Sequence, residues 1–164
     1  MLHSNVSKDL GFTLTESLIV VAIVGILTAM AIPSFIAAQN RAKLAQATDM
    51  VVASLQEAQR EAIRRNQSCR LTLDKAAGKI AGDRGCLLSG DRILPDPIAL
   101  DYTGASEDIN YGIRGNTTTN KTIILAVKDN LNNNRCLTIS APLGIIRVGS
   151  SYDRVALICR KPNS

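Results

Sequence analysis

The feature that most constrains this chain is the run from Ser17 to Asn40, which carries no charged residue and is almost wholly apolar as far as Ile32. About 20 apolar residues are enough to cross the hydrocarbon core of a bilayer. Inside hydrocarbon the backbone must satisfy its own hydrogen bonds, so the run is expected to be a helix. One carboxylate, Glu16, stands at its start. Carried to the bilayer centre, such a charge costs about 2.5–3.5 kcal/mol. A chain that keeps a residue this costly gives it a task.

The order of the parts is as informative as their composition. Residues 1–10 form a polar leader with one Lys and one Asp, followed by Gly11-Phe12-Thr13-Leu14-Thr15-Glu16 and then the apolar stretch. Two ordinary readings compete. A secretory signal is cut after its apolar region, beside small residues, and Ala29-Met30-Ala31 offers such a site. That cut would discard the apolar stretch. A plain membrane anchor would keep the stretch but has no use for Glu16.

The Gly11–Glu16 segment resembles the prepilin signature of type IV pilins and type II secretion pseudopilins. The resemblance implies cleavage by a prepilin peptidase after Gly11 and N-methylation of the new terminus at Phe12. Glu16 then falls at the fifth position of the mature chain, where the family carries an assembly glutamate. Gly25 and Pro33 fall at positions fourteen and twenty-two, matching a common glycine and a helix-kinking proline.

The rest of the composition narrows the chemistry. The 164 residues are enough for one domain of modest size. Aromatics are only 3% with no Trp, so a base-stacking platform is not expected. The sole histidine, His3, lies in the leader, which removes Ser-His and Cys-His catalysis and most zinc chemistry from the mature chain. Gly115 to Thr122 imitates a phosphate loop but has Asn120 where the second glycine belongs. Asp129 to Asn134 supplies oxygens for calcium without EF-hand spacing. No cofactor, no metal, no small-molecule substrate and no enzymatic activity are expected.

The four cysteines are Cys69, Cys86, Cys136 and Cys159, with no Cys-x-x-Cys pair. Beyond a membrane segment an even count reads as two disulfides in an oxidising compartment. Four cysteines allow three pairings. Joining neighbours along the chain gives Cys69–Cys86 and Cys136–Cys159, the second tying the last strand to its hairpin. The net charge of +5 is concentrated late in the chain: from Arg135 onward there are five basic residues and one acid.

Read along its length, the chain begins with a single helix from Phe12 to about Asn66. Beyond Pro33, the apolar residues Leu44, Ala47, Val51, Leu55, Ala58 and Ala62 recur at steps of three and four, which predicts one buried helix face. Gln46, Asp49, Gln56, Arg60 and Arg64 mark the opposite face. After Asn66 the pattern shortens to strand-like runs: Arg70–Leu73, Ile98–Tyr102, Ile123–Val127, Cys136–Ser140, Ile145–Val148 and a last strand, Val155–Cys159. Residues 76–91 read as loop or weak hairpin, 107–119 as loop, and Asp129–Asn134 as an Asn-rich turn. Ala141-Pro142-Leu143-Gly144 is a hairpin signal.

These elements predict an α+β fold: a long N-terminal helix with a membrane-spanning first half, packed on a C-terminal antiparallel β-sheet domain. The arrangement resembles the H-type pseudopilins and FimT/FimU-like minor pilins, whose type IV pilin-like fold ends in a strand-turn-strand around a glycine. The expected parts are a leader at 1–11, a membrane and filament-core helix at 12–36 and a globular domain at 37–164. The resemblance implies a minor pilin or pseudopilin that passes once through the bacterial inner membrane with its C-terminal domain in the periplasm. It then joins a helical filament of other pilins or pseudopilins, in the periplasm or at the cell surface. A second reading takes DNA as the partner, in natural transformation. Some FimT-like proteins bind DNA through a Gly-Arg-x-Arg segment. Here Gly144-Ile145-Ile146-Arg147 keeps only its last arginine, with Arg154, Arg160 and Lys161 as the other candidate contacts.

Overall fold

The computed structural model of the chain describes residues 13–83 and 85–161. It divides into two compact units, residues 1–38 and 39–164. One element, α1 (Leu14–Arg65), runs through both without interruption at Pro33. The proposed junction at Gly11 and Phe12 lies outside the described residues.

In the first unit the described side chains of α1 are exposed all round, with Leu18, Val21, Val24 and Leu27 among the large apolar ones. A helix apolar on every face has no stable position in water alone. It is also the one described helix long and apolar enough to cross a membrane.

The second unit is built on the other half of α1. Leu44, Ala47, Val51, Leu55, Ala58 and Ala62 are all buried there, as their spacing predicts, and Gln46, Asp49, Gln56, Arg60 and Arg64 are exposed. A buried Leu contributes about 1.5–3 kcal/mol, so Leu44 and Leu55 hold the helix down more than the alanines do. The alanines let the backbone come close. The helix ends in a Schellman motif: Asn66 takes a left-handed φ of 52°, Gln67 N–H donates to Ala62 O and Asn66 N–H to Ile63 O.

Ten strands follow: β1 Cys69–Asp74, β2 Lys79–Gly82, β3 Arg92–Ile93, β4 Ile98–Tyr102, β5 Asp108–Tyr111, β6 Lys121–Val127, β7 Asn130–Ser140, β8 Ile145–Gly149, β9 Ser151–Asp153 and β10 Ile158–Arg160. They form two four-stranded antiparallel sheets, β3-β2-β1-β5 and β4-β6-β7-β8, and a two-stranded ribbon, β9–β10. One hydrophobic core joins the α1 stripe to Leu71 and Leu73 of β1, Ile109 and Tyr111 of β5, and Ile123, Leu125 and Leu137 of the second sheet.

Strand β6 is buried almost throughout because both its faces are covered. Ile123 and Leu125 face the main core. Ile124 faces the other way, into a small cluster with Cys136 and Tyr152 beneath the ribbon. Alternation sends successive side chains to opposite faces, so the ribbon is what buries the outer side of this sheet.

Three expectations are corrected here. The Asn-rich segment is not a turn: Asn130–Asn134 opens β7. Asn134 is held by side-chain bonds, accepting from Tyr152 N–H at 2.6 Å and donating to Leu131 O at 2.9 Å. The 107–119 segment is not all loop, since Asp108–Tyr111 pairs with β1. Residues 155–159 are not one strand. Val155 lies in a turn and only Ile158 and Cys159 belong to β10.

Candidate functional site

Two regions carry the residues singled out in the sequence. The first is the start of α1. Thr13 Oγ1 accepts the Glu16 backbone N–H at 3.3 Å and Thr13 O accepts Ser17 N–H at 3.1 Å. Thr13 is therefore the N-cap, and Glu16 sits three residues on, where a carboxylate meets the positive end of the helix dipole. Thr13-x-x-Glu16 is a capping pattern that the sequence displays openly, and the functional reading of Glu16 had masked it. The cap accounts for helix initiation. It leaves the Glu16 side chain exposed, at the start of a helix whose residues from Leu18 to Leu27 are all apolar or glycine. Gly25 has nothing within 4 Å of where a Cβ would stand, so another helix can approach closely there. Thr28 returns its hydroxyl to Val24 O and Gly25 O, at 2.9 and 3.0 Å, which hides it from an apolar environment.

The second region is the β8–β10 end of the globular unit. Both disulfides join chain neighbours: Cys69–Cys86 closes the first sheet's long loop, and Cys136–Cys159 fastens β10 to β7. At the crossing, Gly149 is a packing necessity. A Cβ there would collide with Cys159 Sγ and meet Arg160 O at 2.5 Å and Cys136 Sγ at 2.8 Å.

Of the four candidate basic residues, three converge. Arg147, Arg160 and Lys161 line one hollow of about 190 Å³ together with Thr138. Arg147 gets there by register: it pairs with Thr138 across β7–β8, on the outer side of the sheet. Arg154 stands apart. It lines a neighbouring cleft of about 350 Å³ with Asn132, Asn134, Val155 and Arg160. Arg160 belongs to both hollows and is ordered in β10 by an ion pair to Asp153 at 2.6 Å, not carried on a loose tail. Among the described residues, Arg147, Arg154 and Lys161 join no ion pair.

Sequence reasoning missed Asp153. Its Oδ1 accepts the N–H groups of Val155 at 3.0 Å and Ala156 at 3.1 Å, while Oδ2 accepts Arg160 Nη2. The Ala156 amide above all, then Arg160, holds this carboxyl below the usual carboxylate range. An Asp opening a tight turn and a basic residue seven positions on were the available signals.

Comparison with known proteins follows the same division. The family model described as "Type II transport protein GspH" matches residues 47–143, more than half of the chain, and that of the prokaryotic N-terminal methylation motif matches residues 6–32. No curated protein gives a match. Among solved structures, the type IV minor pilin FimU of Pseudomonas aeruginosa is 19% identical, covers 66% of this chain and 89% of its own, and has a TM-score of 0.55. The minor pseudopilin EpsH of the Vibrio cholerae type 2 secretion system is 14% identical, covers 66% and 97%, and has a TM-score of 0.54. At such identities the likeness is one of fold. The chain belongs to the GspH family of type II transport proteins, carries the prokaryotic N-terminal methylation motif, and has the fold of the minor pilins and pseudopilins.

Proposed function

We propose that this chain is a minor, non-enzymatic subunit of a type IV pilus or type II secretion pseudopilus. Prepilin peptidase cuts it between Gly11 and Phe12 and methylates the Phe12 amine. Residues 12–36 then hold it in the bacterial inner membrane with residues 37–164 in the periplasm, until it joins other pilins or pseudopilins in a helical filament.

The observation that carries this reading is the exposed apolar half of α1 with a lone carboxylate in its first turn. Bundling such helices buries them on all sides. Glu16 then sits in an apolar core, where an unpaired charge is costly. The terminal amine of Phe12, its own or a neighbour's, is a partner of opposite sign, and pairing the two fixes register. Glu16→Ala tests this. The variant is expected to be cut normally but to enter filaments poorly, and normal incorporation would remove the role.

A second reading, DNA binding during natural transformation, is favoured by one observation: Arg147, Arg160 and Lys161 share a hollow. Without aromatic stackers the contact would be with phosphates and would fall steeply with salt. A salt titration of DNA binding by residues 37–164 tests it, and no binding at low salt would refute it.

A further inference from the structure

From Arg154 to Lys161, through the tip and outer strand of the β9–β10 ribbon, every residue is exposed except Cys159. Val155, Leu157 and Ile158 all turn outward. Apart from Cys159, this stretch buries no apolar side chain on the sheet beneath it. Strand β9 is different. Tyr152 is buried with Ile124 and Cys136, and its N–H donates to Asn134 Oδ1. Strand β10 holds to β9 over three residue pairs, with the Asp153–Arg160 ion pair across them. A two-stranded ribbon is marginal in water, and an exposed ion pair adds little. What fixes β10 to the sheet is therefore the Cys136–Cys159 bond.

The two disulfides differ in access. Cys69 and Cys86 are 2 and 3% exposed, so their bond is closed to solvent. Cys136 is 0% exposed, but Cys159 is partly exposed and lines the hollow of Arg147, Arg160 and Lys161. A thiolate is the attacking species in disulfide exchange, and cations around a partly exposed sulfur favour its approach.

We propose that Cys136–Cys159 is a dithiol-operated switch that releases residues 154–161 while the sheets and Cys69–Cys86 stay intact. One thiolate of the dithiol attacks Cys159 Sγ, the S–S bond breaks, and its electron pair leaves on Cys136 Sγ. The second thiol then attacks the mixed disulfide and frees Cys159. The dithiol is oxidised to a disulfide, the protein bond is reduced, and the two thiol protons end on Cys136 and Cys159. Opening the bond also parts Arg160 and Lys161 from Arg147, since they reach it through β10. The effect on polyanion binding rests on the DNA reading above, whereas the release does not.

The full chain in detergent micelles is treated with graded dithiothreitol, then alkylated and mapped by mass spectrometry, with amide exchange followed alongside. Cys136 and Cys159 are expected to be alkylated at least about tenfold faster than Cys69 and Cys86. In that half-reduced form, exchange at residues 155–161 is expected to quicken by about tenfold or more, while β1 and β6 keep their protection. A chain with Cys136→Ala and Cys159→Ala is expected to show the same exchange without reductant. Simultaneous opening of both bonds, earlier opening of Cys69–Cys86, loss of protection in β6 together with the ribbon, or an unchanged ribbon in the half-reduced form overturns the switch. Binding of a labelled double-stranded oligonucleotide at low salt is read on the same samples. It is expected to weaken about tenfold or more on reduction and to return on reoxidation. Equal binding by both forms overturns the coupling to the hollow. Binding by neither form overturns the DNA reading, and the release still stands or falls on the exchange data.

Discussion

Asp153 and Arg160 face each other across the β9–β10 ribbon, Oδ2 to Nη2 at 2.6 Å, and the same carboxylate caps the turn between them. This gives the tip a pH dependence. The folded carboxyl titrates below its ordinary value, held first by the Ala156 amide, then by Arg160 and the Val155 amide. A carboxylate of this kind contributes stability that is complete above the unfolded pKa, near 3.8, and is lost as pH falls through the lower folded value. Amide exchange at Val155 and Ala156, corrected for intrinsic rates, is expected to quicken only in that acid window. In Asp153→Asn, which keeps an acceptor oxygen but loses the charge, that acid step is expected to disappear.

Gly149→Ala tests the crossing of β10 over β8. The added methyl meets both sulfurs of the Cys136–Cys159 bond and a backbone oxygen, none of which is a flexible chain end. Overpacking of this kind costs about 1–3 kcal/mol. Urea unfolding is expected to show a lower midpoint with an unchanged slope, whereas Gly90→Ala, where nothing lies within 4 Å, leaves only the strain of a positive φ.

Leu55→Ala removes the largest fully buried side chain of the α1 stripe. A loss of about 2–5 kcal/mol is expected for a core leucine, read by the same unfolding curve. Separately, opening the Cys136–Cys159 bond with Cys159→Ser is expected to cost about 2–4 kcal/mol and to loosen the ribbon before the sheets.

How far the fold was legible depends on how local its causes are. Leu44 to Ala62 announced a buried helix face because one period covers six positions, and all six are buried. Strand β5 was hidden because Ile109 and Tyr111 are only two inward residues between glycine-rich loops, and its pairing with β1 comes from 36 or more residues away. Asn130–Asn134 has poor strand propensity, yet the partners of Asn134 lie in Leu131 and Tyr152 and override it. The 155–159 run looks like a buried strand by composition. Asp153 turns the chain first, and the apolar residues end outside. For the site, Arg147 was legible from alternation, but its meeting with Arg160 and Lys161 needed the disulfide and the ribbon.

The DNA reading makes a sharper demand now that Arg160 is seen to pair with Asp153. Arg147→Ala with Lys161→Ala, both free of ion pairs, is expected to weaken DNA binding without loss of stability, since exposed charges contribute little. Arg154→Ala, in the neighbouring cleft, is expected to have the smaller effect. Equal loss from all three in a salt titration would show no role for the shared hollow.

The measurement that bears most directly on the account is the intact mass of the protein extracted from membranes of cells that express the matching prepilin peptidase. The account predicts the mass of residues 12–164 with two disulfides and one added methyl group, which fragmentation places on the Phe12 amine. The uncut chain, or a form beginning after Ala31 or at any residue other than Phe12, would contradict it.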